Sequence, residues 1–131
     1  MPRAGVWLLV VLIGFFPGCK RSGQEGDKMP AGSAPGVVPA EYAKGEAVFG
    51  RFCLGCHGQG AMGTGRGPSF IQRVYEPSHH GDEAFYRAAR MGVQAHHWSF
   101  GNMPPIAGVT DDELKEIVAY VRWLQRQAGI Q

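Results

Sequence analysis

No sign of charge dominates this sequence. Thirteen Lys and Arg stand against 11 Asp and Glu, a formal net charge of +2. The basic footprint that nucleic-acid binding needs is therefore missing. From Pro39 onward nine basic and nine acidic side chains balance, so net charge gives no clue to how a partner is steered. Long apolar runs are also absent. Val6 to Phe16, VWLLVVLIGFF, has 11 residues, where a bilayer span needs about 20. No segment alternates convincingly as a strand, and there are no internal repeats. At 131 residues the chain holds one domain at most, with appendages. A domain that small buries a limited share of its surface and often needs a staple.

What is present is organised in three parts. Residues 1–18 read as a targeting segment: Arg3 gives a positive start, and the 11-residue apolar run suits a signal-peptide core. FPGC follows, ending at Cys19. A lone cysteine directly after such a core, with Gly18 before it, resembles the lipobox of bacterial lipoproteins. There the cysteine is lipidated and becomes the first residue of the mature chain. Ordinary cleavage, or a short uncleaved anchor with Cys19 a bystander, is the plainer alternative. Either way the chain is expected to be exported, to the periplasmic side of a bacterial membrane, where free thiol pairs do not stay reduced. Residues 19–38 are rich in Gly, Ser and Pro and nearly free of apolar side chains. They cannot offset their ordering entropy by burial, and read as a flexible tether.

Residues 39–131 carry the folded domain. From Glu41 to Cys53, Tyr42, Gly45, Val48, Phe49 and Phe52 fall on one helical face. Gly45 on that face costs about 1 kcal/mol relative to Ala, which points to another helix crossing close by. A second strong helix is expected over Asp111 to Ala128. Thr110 and Glu113 form a capping box, and Asp111 and Asp112 suit the positive end of the dipole. Leu114, Ile117, Val118, Val121 and Leu124 make its buried stripe. Gly129 suits a C-terminal cap. A weaker helix runs from about Asp82 to Met91, with Phe85, Ala88 and Ala89 inward. Twenty glycines and nine prolines leave long irregular stretches, chiefly 58–69 and 96–108.

Cys53, Cys56 and His57 stand together in RFCLGCH. Three chemistries compete for them. A redox dithiol belongs at the head of a helix after a strand; here the pair follows a helix. A zinc site needs four ligands; two of His79, His80, His96 and His97 could complete it, but no second paired motif has finger-like spacing. The third reading is covalent c-type haem attachment, the standing meaning of C-x-x-C-H. Two intervening residues let two thioethers bridge adjacent edges of one macrocycle, and the next imidazole reaches beneath the iron. A covalently held haem c also gives so short a chain its apolar centre.

With that motif in place, residues from about Pro39 to Gln131 resemble the small monohaem class I cytochromes c. Gly45 and Phe49 look like the family's first-helix glycine and aromatic. Tyr120, Trp123 and Leu124 in AYVRWLQ look like their partners on the last helix. GRGPSF resembles the family's Gly-Pro segment. The resemblance implies an all-α fold, three main helices and Gly/Pro-rich loops wrapped around one haem. It implies that the carbonyl of Pro68 accepts the second imidazole N–H of His57, and that Met103 in GNMPP, 46 residues after His57, is the distal iron ligand. Met62 is too near the motif to swing round the ring. Met91 is expected to pack the core. His96 and His97 are the serious rivals of Met103. Trp98 and Tyr75 either donate to a haem propionate or simply pack; Arg66 and Arg90 are weaker candidates for that role. The pairs His79–His80 and His96–His97 could bind a metal, with hydrophilic loop surface the default.

Two protein ligands on the iron leave no open position for oxygen or peroxide. The expected function is therefore single-electron transfer, with no substrate transformed by this chain alone. Redox partner proteins would be met transiently, and the membrane through the N-terminal lipid or anchor. The alternatives are a haem enzyme whose sixth ligand is displaced by a small molecule, and a haem-bearing subunit of a larger oxidoreductase.

Overall fold

In the computed structural model, which describes Met1 and residues 36–131, the chain runs through four helices and two short 3₁₀ turns. These are α1 (Ala40–Phe52), α2 (Leu54–His57), turns at Gln59–Ala61 and Arg73–Tyr75, α3 (Asp82–Met91) and α4 (Asp111–Gln127). The expected signal segment, Cys19 and most of the tether lie outside the described residues. Among the described residues there is no strand, only isolated bridges at Thr64–Gly67 and Val93–Met103. The fold is all-α, and the three expected helices are present within a residue of their expected ends. Among the described residues no helix is long and apolar enough to cross a membrane.

The crossing of α1 over α4 is the structural centre. Gly45 is the contact point: a Cβ built there would lie 2.3 Å from the carbonyl oxygen of Glu116 and 2.7 Å from Tyr120 Cβ. Only a glycine lets the two backbones approach so far. Beside it, Phe49 meets Tyr120 edge-on at 5.7 Å and Tyr42 stacks on Trp123 at 5.6 Å. Phe49, Tyr120, Val121, Leu114, Ile117 and Leu124 are all buried, each such side chain contributing roughly 1.5–3 kcal/mol. The ion pairs Lys44–Glu116 and Arg51–Glu113 edge the same interface.

Helix α4 starts as its sequence dictates. Thr110 accepts from the Glu113 amide, and the Glu113 carboxylate accepts from the Thr110 amide. It ends at Ala128, followed by Gly129 at φ +74°. Helix α3 packs Ala89 inward, while Phe85 and Ala88 are half-buried. One expectation fails here. Met91 does not pack the core; it is 71 % exposed. It is the last residue of α3, where Gly92 turns the chain away with φ +75°, and its side chain falls outside the α3–α4 contact.

Candidate functional site

Helix α1 ends at Cys53, and the chain re-enters one helical turn as α2. The His57 amide donates to Cys53 O at 2.9 Å, and the Cys56 amide to the same oxygen at 3.2 Å. Positions i, i+3 and i+4 share one face, so the turn gathers both sulfurs and the imidazole. Gly58 follows at φ +73°, a left-handed conformation that glycine adopts freely.

The loop after the turn folds back and grips it. The Gly63 amide donates to His57 O at 2.6 Å. Thr64 Oγ1 donates to Cys56 O at 2.5 Å, and the Arg66 guanidinium to Gly55 O. Gly67 comes so close that a Cβ would sit 2.8 Å from Cys56 O. This brings the Pro68 carbonyl oxygen to 2.9 Å from His57 Nδ1. A carbonyl only accepts, so Nδ1 carries the proton and Nε2 keeps its lone pair. The ring is 7 % exposed and stacks on Phe70 at 4.1 Å. Burial lowers the His57 pKa from its ordinary 6.5, and the bond to Pro68 works the other way. The outcome is a neutral, oriented imidazole with a free nitrogen, the form that binds iron.

The two thiols differ. Cys53 is buried and Cys56 exposed. Burial, with Cys56 nearby, pushes the Cys53 thiol up to about 11. A reactive dithiol wants the opposite shift, which counts against the redox-pair reading. The zinc reading fails on position. Among the described residues, the one group of three or more candidate metal ligands is His79, His80 and His97, without either cysteine.

Met103 lies in the loop before α4 and is half-buried. Its amide and carbonyl both pair with Val93 at 2.9 Å, and Gly92 approaches so closely that a Cβ would meet Met103 O at 2.5 Å. With Pro104 and Pro105 after it, this backbone has little freedom. His96 and His97 are instead exposed, in the company of His79 and His80. Trp98 Nε1 donates to the Tyr75 hydroxyl at 3.1 Å, so those two rings form one unit. Arg90 pairs with Asp111 and Arg66 holds the motif. The donor set thus suits a haem: two sulfurs and a neutral imidazole on one turn, and a thioether on a stiff loop.

Sequence reasoning missed the support beneath this loop system. Arg122 and Gln125 on α4 are buried. Arg122 donates to the carbonyls of Tyr75 and His80 at 2.8 and 2.5 Å, and to Asp82 at 2.8 Å. Gln125 donates to Phe70 O and Tyr75 O at 2.9 and 3.0 Å. A signal existed: both sit beside Val121 and Leu124 on the stripe side of the helical period, where a polar residue needs a partner.

Residues 42–125 match the family model described as Cytochrome c. No curated protein matches the chain, and no solved structure does.

Proposed function

The chain belongs to the cytochrome c family, whose members hold covalent haem c, and on that premise we propose that it is a single-electron carrier whose haem is held by Cys53, Cys56, His57 and Met103. Haem-based electron transfer is the activity the family brings; the assignment of residues is our own. Cys53 and Cys56 supply the two sulfurs. His57 offers Nε2 as proximal ligand, and the Pro68 carbonyl fixes its tautomer and raises its basicity. Met103 would offer its thioether from the loop before α4. When bound, the haem supplies an iron that alternates between ferric and ferrous.

The observation that carries the reading is the 2.9 Å bond from His57 Nδ1 to Pro68 O on a buried ring. A soft thioether and a buried site both favour the ferrous form and so raise the potential. A loop stiffened by two prolines and two backbone bonds keeps the ligand in place in both oxidation states. Partners would dock transiently over a small area. We place the domain on the periplasmic side of a bacterial membrane, in a respiratory or redox chain, tethered through residues 19–38 and a lipid on Cys19. Redox titration of the haem-loaded chain tests the carrier reading. It should follow a one-electron slope, about 59 mV per decade, with no carbon monoxide bound by the reduced form. Ready carbon monoxide binding would favour a ligand-binding enzyme.

A further inference from the structure

Two loops distant in sequence bring four histidines together. His79 and His80 end the turn after Tyr75, while His96 and His97 lie between α3 and Met103. Ring centroids are 4.7 Å apart for His79–His80, 5.6 Å for His79–His97, 5.4 Å for His80–His97 and 4.3 Å for His96–His97. One ring nitrogen from each of His79, His80 and His97 can be chosen so that all lie within 4.8 Å of one another. A tetrahedral ion bonded to imidazoles at about 2.0–2.1 Å needs nitrogens roughly 3.3 Å apart. Side-chain rotation of His79 and His97, both exposed, would close that gap.

The backbone under these rings is already fixed. The amides of His79 and His80 both donate to Glu76 O, at 3.0 and 2.8 Å. The His80 carbonyl receives the buried Arg122 guanidinium. Across the gap, the Ala95 amide donates to Asn102 Oδ1 at 2.9 Å, and Trp98 is tied to Tyr75. His80 Nδ1 donates to Val74 O and His96 Nδ1 to Gln94 O. In each case Nε2 is left with its lone pair, the arrangement that second-shell carbonyls impose on metal-binding histidines. Among the described residues no carboxylate makes an ion pair with any of the four rings.

We propose that His79, His80 and His97 form a binding site for one late first-row divalent cation of the zinc or copper(II) type, with His96 beside them as a fourth donor. Imidazoles without carboxylates suit those ions and not calcium or magnesium. The site stands apart from His57, with Phe70 and Tyr75 between: successive ring centroids from His57 to His80 are 4.1, 5.1 and 5.2 Å apart.

The test uses the full haem-loaded chain, in which Cys53, Cys56 and His57 are already engaged. Zinc ion is titrated calorimetrically, and copper(II) is followed by electron paramagnetic resonance. One equivalent should bind with a Kd tighter than about 100 μM, with nitrogen hyperfine structure on the copper signal. His79→Gln, His80→Gln and His97→Gln should each weaken binding about tenfold or more, leaving the haem absorption spectrum unchanged. A weaker Kd, or an affinity that survives the triple substitution, overturns the site. So does a haem spectrum altered by His97→Gln, which would give that ring to the iron instead.

Discussion

Gly45 and Tyr120 touch backbone to side chain: a methyl group added at Gly45 would meet Tyr120 Cβ at 2.7 Å and Glu116 O at 2.3 Å. On an ordinary helix, Gly→Ala stabilises by about 1 kcal/mol. Here the helices must move apart, and overpacking costs roughly 1–3 kcal/mol. Gly45→Ala should therefore lower stability in urea unfolding. A rise in the midpoint would show that α1 and α4 do not cross at this point.

Arg122→Ala removes four hydrogen bonds at once, including those to the carbonyls of Tyr75 and His80. The loss of buried charge-assisted bonds should cost about 2–4 kcal/mol. Because the guanidinium holds residues 75–80, the effect has an address. Amide exchange should accelerate over 73–80 more than in the α1–α4 core. Uniform acceleration would mean that Arg122 supports the fold only globally.

Acid weakens the N-terminus of α4. The Thr110 amide and hydroxyl and the Arg51 guanidinium hold the Glu113 carboxyl below its ordinary value of 4.5, despite some opposing desolvation. A carboxyl with a depressed folded pKa stabilises above its unfolded value and loses that contribution as pH falls through the folded one. The melting temperature of the native chain should thus drop as pH falls below about 4.5. Glu113→Gln should melt lower at neutral pH and show a flatter decline. Parallel curves for the two proteins would remove Glu113 from the account.

Met103→Ala tests the distal ligand. The methionine-to-ferric charge-transfer band should vanish, and the reduced protein should bind carbon monoxide. The potential should fall as well, since the soft thioether no longer favours ferrous iron. An unchanged spectrum would remove Met103 from the iron.

Much of this architecture was legible in the residues. The capping box of Thr110 and Glu113, the stripe on α4 and the glycine at 45 are local or periodic signals, and all three are found as read. The bond from His57 to Pro68 follows from likeness to a family, since the partners stand 11 positions apart in the chain. What stayed hidden was non-local. Nothing in the pairs His79–His80 and His96–His97 says that they face each other; that depends on Arg122 and Tyr75 pinning two loops. Met91 departs from its expected place in the core because an apolar side chain at the last position of a helix has no periodic partner to fix its direction.

The most direct measurement is proteolysis and mass spectrometry of the protein matured in a host that attaches haem c. One haem should be found on the peptide holding Cys53 and Cys56, bonded through both sulfurs, with a single bond when either is changed to Ala. Haem recovered without covalent attachment, or bonded to any other peptide, would contradict it.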